Sequence, residues 1–112
     1  MEKRHYPRIM VNNLTIDVSD GVGFFYGQIS DASRFGLCLM DVPRKVDETA
    51  GKMTAIVNGP EMHFKMIVIP KWSAATDSLN KSVGVEIVDP PRDWIDFVMN
   101  FEPEDDSWGV AS

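Results

Sequence analysis

Two arginines near the amino terminus, Arg4 and Arg8, have the residue type and the spacing to hold an elongated anionic ligand. Pro7 disfavours a helix here and biases Tyr6 towards extended backbone. In an extended segment, residues four apart lie on the same side, roughly 13 Å apart. Each guanidinium can pair bidentately with a phosphate or with the O6/N7 edge of guanine, and it can stack on a flat base. Taken alone, a solvent-exposed terminus that only aids solubility is the simpler interpretation.

A second cluster, residues 31–36, places a carboxylate, a hydroxyl and a glycine at the junction of two predicted strands. The Asp31 carboxylate can accept the N–H groups of a guanine Watson–Crick edge, and the Ser33 hydroxyl can bond a phosphate oxygen. Gly36 lets the backbone approach a ligand closely or adopt a positive φ. Asp, Ser and Gly are also common turn residues, so a turn without a binding role is the better explanation of this cluster on its own.

The other residues that could do chemistry do not converge on a catalytic or metal site. His5 and His63 lack metal-ligand neighbours, and Cys38 has no nearby histidine or basic residue to activate its thiol. The sequence contains no Gly-rich phosphate loop of the P-loop or Rossmann type. Trp72 could line a ligand site, but a buried strand aromatic is the favoured interpretation. We therefore expect no enzyme activity, no metal and no cofactor.

Period-two alternation of apolar and polar residues dominates the middle of the chain and predicts β-strands. The predicted strands are residues 14–18, 22–31, 36–41, 52–57, 62–68 and 83–88. Asn58-Gly59 is a strong hairpin signal between two of them, and Pro70 marks a bend or a strand end. Six or seven short strands at this spacing predict an antiparallel barrel or sandwich.

One helix is expected to close the domain. Asp89 is a suitable N-cap and Pro90 suits the first helical position. An apolar stripe with the i, i+3, i+4, i+7 spacing follows, made of Trp94, Phe97, Val98 and Phe101. We expect this stripe to pack on the strands as core rather than to bind a partner.

The chain divides into three predicted regions. Residues 1–8 form a flexible basic segment, and residues 9–101 form the strand-rich domain with its helix. Residues 102–112 form an acidic disordered tail, which begins with four acidic side chains between positions 102 and 106 and contains Trp108.

Length and composition favour one globular domain that stays in the cytoplasm. The chain has 112 residues with 44% hydrophobic and 25% charged residues, and its net charge is −6. An acidic chain lacks the broad basic surface that binds DNA or RNA. Apolar runs stay short of the ~20 residues that cross a bilayer, and the first ten residues contain no secretory signal. A single cysteine gives no indication of an oxidising compartment.

Together, the two clusters resemble the motifs of the PilZ family. The family pattern is RxxxR near the amino terminus, followed by D/NxSxxG between the second and third strands. Here the motifs are Arg4…Arg8 and Asp31-x-Ser33-x-x-Gly36. The similarity continues through residues 68–72 and 84–87 into the terminal helix. Two positions depart from the pattern, since Phe35 replaces a glycine that is common in the family and Pro7 stiffens the arginine segment.

The resemblance implies an all-β fold with a C-terminal helix, in the form of a six-stranded antiparallel PilZ-like β-barrel. It also implies a ligand, the dinucleotide second messenger cyclic di-GMP. The binding residues implied by the motifs are Arg4, Arg8, Asp31, Ser33 and Gly36.

The function implied by the resemblance is that of a bacterial receptor or adaptor without catalytic activity. Ligand binding is expected to order the N-terminal RxxxR segment and to pass the signal to an unidentified effector protein in motility, pilus function or polysaccharide export. The alternative is a PilZ-like protein-interaction module that does not bind the nucleotide. The intact arginines and the intact Asp31 and Ser33 favour the receptor.

Overall fold

Seven β-strands and one helix make up most of the part of the chain that the computed structural model describes, residues 7–19, 23–46 and 51–102. In chain order they are β1 (Ile9–Met10), β2 (Thr15–Ser19), β3 (Phe24–Ser33), β4 (Gly36–Pro43), β5 (Met53–Gly59), β6 (Met62–Ala75), β7 (Asn80–Val88) and α1 (Arg92–Met99). The sequence predicted the strands from β2 onward, whereas the two-residue β1 was not predicted.

The strands pair antiparallel and close on themselves. Their order is β1-β3-β2-β5-β6-β7-β4, and an additional pairing of β3 with β4 completes the circle. The six strands from β2 to β7 therefore form a closed barrel, and β1 pairs with β3 beyond the end of β2. The predicted six-stranded antiparallel barrel with a C-terminal helix is confirmed.

Alternating strand positions point into the barrel and form its hydrophobic core. In β2, Ile16 and Val18 are buried while Asp17 between them is exposed. Burying one such branched side chain contributes about 1.5–3 kcal/mol to stability. The positions between them face outward and carry polar residues together with some exposed apolar side chains, such as Ile56 of β5 and Ile67 of β6.

Helix α1 packs against the barrel through its apolar stripe. Trp94 and Val98 are fully buried, and the Trp94 ring meets Phe64 of β6 edge-on with centroids 5.2 Å apart. The prediction that the stripe is core is confirmed at these two positions, whereas Phe101 lies beyond the end of α1 and is 59% exposed. No helix within the described ranges is both long and apolar enough to cross a membrane.

The helix begins later than predicted, because two prolines precede it. Its N-cap is Pro91, in extended conformation, and Arg92 is the first helical residue. A residue before proline is disfavoured in helical conformation, so Pro91 prevents Pro90 from starting the helix. The predicted cap, Asp89, instead has φ 53° and turns the chain between β7 and α1. The assignment of Asp89 as N-cap was therefore wrong.

The turn of the hairpin between β5 and β6 lies two residues later than predicted. Asn58 and Gly59 remain in β5 and pair with His63 and Met62, so residues 60–61 form the turn. The Asn58 side chain is engaged on the barrel surface, where its amide nitrogen donates to Asp17 Oδ2 at 2.9 Å. The Asn-Gly signal thus located the hairpin correctly and its turn incorrectly.

Candidate functional site

The two predicted clusters meet on the outer surface of the barrel, where β3 turns into β4. Arg8 Nε donates to Asp31 Oδ1 at 2.5 Å. The contact forms because Met10 of β1 pairs with Asp31 of β3, which brings the chain before β1 alongside that strand. Ser33 and Gly36 pair directly with each other at the end of β3 and the start of β4.

A bend between β1 and β2 makes this approach possible. Both strands pair with the same side of β3, and Asn12 and Asn13 lie between them. Asn13 has φ 67°, a left-handed conformation that asparagine adopts more readily than most residues. The bend therefore allows the chain to pair with β3 twice and leaves Arg8 beside Asp31.

Four of the five predicted ligand-binding residues line one groove of about 450 Å³. They are Arg8, Asp31, Ser33 and Gly36. The fifth, Arg4, lies outside the described residues, as does the rest of segment 1–6. Residues distant in the sequence are thus brought to one place.

The floor of the groove is a row of residues that runs straight across four strands. Asp31 pairs with Cys38, Cys38 with Gly84, and Gly84 with Trp72. Directly paired residues point to the same face of a sheet. Since neighbouring strands lie about 4.8 Å apart, the backbones of Asp31 and Trp72 are roughly 14 Å apart across this row. Only one small side chain and one glycine separate them.

Trp72 forms the far wall of the groove. Pro70 lacks an N–H for the ladder, and the register of β6 against β7 shifts between Pro70 and Trp72. The strand does not end at Pro70, because β6 continues to Ala75 with this shifted register. The Trp72 indole lies across Gly84, where any Cβ would overlap the ring. Trp72 is 51% exposed, so its interpretation as a buried strand aromatic was wrong.

Gly36 is needed for close approach rather than for an unusual backbone angle. It does not have a positive φ. A Cβ at this position would lie 3.2 Å from the Val85 carbonyl oxygen and 3.6 Å from Arg8 Nη1. A Cβ would therefore press on the backbone of β7, while it would only touch the guanidinium at ordinary van der Waals distance.

The turn between β3 and β4 is held from behind by the C-terminal part of the chain. Trp94 Nε1 of α1 donates to the Ser33 carbonyl oxygen at 3.3 Å. The Arg34 guanidinium donates two hydrogen bonds, each of 2.8 Å, to the carboxylate of Glu102. Because the Glu102 side chain is only 10% exposed, this ion pair is largely shielded from water. Sequence reasoning assigned Glu102 to the acidic tail and missed its contact with Arg34, since no local pattern links positions so far apart.

A second ion pair lies on the wall of the groove opposite Arg8. Lys71 Nζ of β6 is 3.0 Å from Glu86 Oε1 of β7, and both side chains are about half exposed. Glu86 pairs with Gly36 of β4 and lines the groove together with Lys71. The alternation indicated that Glu86 faces outward, but the strand pairing that brings it to Gly36 is not visible in the sequence.

The arrangement suits a flat, polar and anionic ligand. Arg8 and Lys71 supply cationic donors, Asp31 and Glu86 supply carboxylate acceptors, and Trp72 supplies an aromatic face. Phosphate oxygens pair with the donors, a base with adjacent N–H groups pairs with a carboxylate, and an indole stacks on a planar ring. In the described ranges, His, Cys, Asp and Glu form no group of three or more that could hold a metal ion.

Several solved protein structures are similar to this fold. No family model and no curated protein matches the sequence. The inhibitor of motility MotI/DgrA from Bacillus subtilis matches with a TM-score of 0.72 and 11% identity, covering 90% of this chain and 49% of that one. The PlzA protein of Borreliella burgdorferi, solved in complex with c-di-GMP, matches with a TM-score of 0.67 and 16% identity, covering 84% of this chain and 48% of that one.

The third match is the PilZ domain of YcgR from Escherichia coli, solved with c-di-GMP. Its TM-score is 0.67 at 12% identity, and the match covers 99% of this chain and 100% of that one. The chain thus spans about half the length of the first two proteins and the whole of this domain. The chain has the fold of a PilZ domain, as its two motifs predicted.

Proposed function

We propose that this chain is a receptor that binds cyclic di-GMP (c-di-GMP) in the groove between Arg8 and Trp72 and releases it unchanged. One observation carries the proposal: Arg8, Asp31, Ser33 and Gly36 lie together on one groove. Two solved structures with this fold hold c-di-GMP, which supports the same ligand here.

The chemistry of the groove matches that of the ligand. A guanine presents N1–H and an amino group to a carboxylate such as Asp31, and its O6/N7 edge to a guanidinium such as that of Arg8. The Ser33 hydroxyl would donate to a phosphate oxygen, and the exposed Trp72 indole would stack on a base. Arg4 would supply a second guanidinium to the same dianionic ligand.

The ion pair between Arg8 and Asp31 would prepare the groove for binding. It holds the Arg8 guanidinium over Gly36. The guanidinium is therefore already in place to contact a phosphate or the edge of a base. Fixing a long side chain before binding lowers the entropy lost when the ligand arrives. The Asp31 carboxylate has further lone pairs, so it can keep Arg8 and accept a guanine N–H as well.

Calorimetric titration with c-di-GMP tests the proposal. We expect wild-type protein to bind, and Arg8→Ala to lose at least about 2 kcal/mol, roughly 30-fold in Kd, because a charged bidentate contact is removed. Arg44→Ala is the matched control, since Arg44 is exposed and follows the far end of β4 from Gly36. Equal affinities of the two variants would reject this site. Wild-type protein that binds no c-di-GMP would favour the alternative, an interaction module that does not use the nucleotide.

We infer in addition that binding orders the N-terminal RxxxR segment and that an effector protein detects the result. The inference rests on the two arginines and on the position of Arg8, which directly precedes β1 and is tied to β3 through Asp31. A ligand contacted by both arginines would join the segment to the barrel. Backbone NMR relaxation with and without c-di-GMP measures this ordering.

A further inference from the structure

The two walls of the groove carry matching pairs of charges. On one wall, Arg8 pairs with Asp31 at 2.5 Å. On the other, Lys71 pairs with Glu86 at 3.0 Å. Each wall thus presents one carboxylate beside one cation, and Trp72 follows Lys71 directly in β6. All five side chains line the same groove.

The two carboxylates are carried by backbone positions that are well separated on the sheet. Glu86 lies two strands away from the strand of Asp31 and two residues along, because Glu86 pairs with Gly36 and Asp31 with Cys38. With standard strand spacing and rise, the two backbones are roughly 12 Å apart. This spacing suits a ligand that presents two separate sets of N–H donors, one to each carboxylate.

Fold stability gives little reason for the pair of Lys71 and Glu86. Its side chains are 55% and 49% exposed, and ion pairs in that setting contribute little to folding. For the same reason, a ligand can replace the contact at low cost. Lys71 and Glu86 can thus release each other and bind polar groups of a ligand instead.

We infer that Lys71 and Glu86 bind the second guanine of the ligand, so that the groove recognises both bases of c-di-GMP. The inference rests on the proposed function and deepens it. The Glu86 carboxylate accepts N1–H and the amino group of one guanine, as Asp31 does for the other, and the Lys71 ammonium donates to O6 or to a phosphate oxygen. Adenine presents an acceptor at N1, so a carboxylate at each end disfavours adenine in either position.

The hybrid dinucleotide cyclic GMP-AMP, which has one guanine and one adenine, tests the inference. We expect wild-type protein to bind c-di-GMP about tenfold or more tightly than the hybrid, because the hybrid leaves one carboxylate facing adenine N1. Glu86→Gln should weaken c-di-GMP binding and bring the two Kd values within about threefold, since the remaining guanine is bound at Asp31. Glu61→Gln is the matched control, because Glu61 is exposed in the turn between β5 and β6.

The outcomes separate this inference from the proposal on which it rests. If wild-type protein binds neither dinucleotide, the proposed function fails and the inference fails with it. If wild-type protein binds c-di-GMP and the hybrid equally, or if Glu86→Gln keeps the wild-type preference, the second guanine contact is rejected while the receptor function stands. Far-UV circular dichroism of Glu86→Gln establishes that the barrel is intact, as expected for an isosteric change at an exposed position.

Discussion

At the residue scale, the groove depends on two glycines as much as on its charged side chains. Gly84 leaves room for the indole of Trp72, because a Cβ there would overlap the ring. Gly36 leaves room for the Val85 carbonyl oxygen of β7, which a Cβ would meet at 3.2 Å. Both glycines thus allow close packing at the groove.

Trp72 provides the first test at this scale. We expect Trp72→Ala to weaken c-di-GMP binding by about 1–3 kcal/mol, the usual cost of losing a stacked aromatic ring. The melting temperature should change little, because the ring is half exposed. Calorimetry and thermal unfolding measure the two effects. Phe24→Ala is the matched control, since Phe24 is 85% exposed and lies at the opposite end of β3 from Ser33. Wild-type affinity in Trp72→Ala would show that the indole does not contact the ligand.

Among the residues that line the groove, the sequence pointed to those in short motifs and missed those assembled by the fold. Asp31, Ser33 and Gly36 lie within six residues, so their spacing was visible. Trp72 enters the groove only because a bulge after Pro70 shifts its register and Gly84 faces it from β7. No spacing within the chain encodes such a contact between two strands.

At the element scale, the turn between β3 and β4 is where the site and the C-terminal helix meet. Its backbone is contacted by Trp94 through the carbonyl of Ser33, and its Arg34 side chain by Glu102. Ser33 and Gly36 flank this turn and line the groove on its outer side. The helix therefore supports the binding residues from behind without touching the groove.

This support gives a second test. Glu102→Ala should lower the free energy of unfolding by about 1–3 kcal/mol, because it leaves the Arg34 guanidinium without two charged hydrogen bonds. It should also weaken c-di-GMP binding, since the turn that carries Ser33 loses one of its contacts. Denaturant unfolding and calorimetry measure these changes, with Glu61→Ala as an exposed control. Loss of stability at unchanged affinity would mean that Glu102 supports the fold and not the site.

The elements themselves were predictable to different degrees. Alternation and β-forming composition are local properties, and they predicted the strands from β2 to β7 as a barrel or a sandwich. The resemblance of the two motifs then implied the barrel. The ends of elements are harder to predict, because neighbouring residues can each favour a different end. At Pro90 and Pro91, the second proline disfavours helical backbone at the first, and the helix starts later. The two-residue β1 lies below the length at which alternation can be detected. Its pairing with β3 is what brings Arg8 to Asp31.

At the scale of the whole molecule, core and groove occupy opposite faces of the same strands. In β7, Val85 and Ile87 are buried while Glu86 between them faces the groove. The groove strands β3, β4, β7 and β6 each have paired neighbours within the closed barrel. A ligand therefore has little opportunity to rearrange the barrel itself. A change of surface on binding must come from segments attached to the groove.

Arg8, directly before β1, brings a cationic side chain to the groove. β1 pairs with β3 through Ile9 and Met10, and Arg8 precedes it directly. A ligand bound by Arg4 and Arg8 would join residues 1–8 to the barrel. Fixing each residue costs about 1–2 kcal/mol in conformational entropy, and this opposes the favourable charged contacts. We therefore expect moderate affinity, which suits a reversible sensor.

NMR relaxation measures the ordering of residues 1–8 on ligand binding directly. On addition of saturating c-di-GMP, we expect the ¹⁵N heteronuclear NOE of residues 2–6, which lie outside the described residues, to rise towards the values of the barrel strands. Arg4→Ala should bind more weakly and, at saturation, show a smaller rise, because the ligand then contacts the segment through Arg8 alone. Amides of β5, which lies outside the groove, serve as the internal reference. Unchanged NOE values in fully bound wild-type protein would contradict the ordering mechanism and leave ligand binding itself intact.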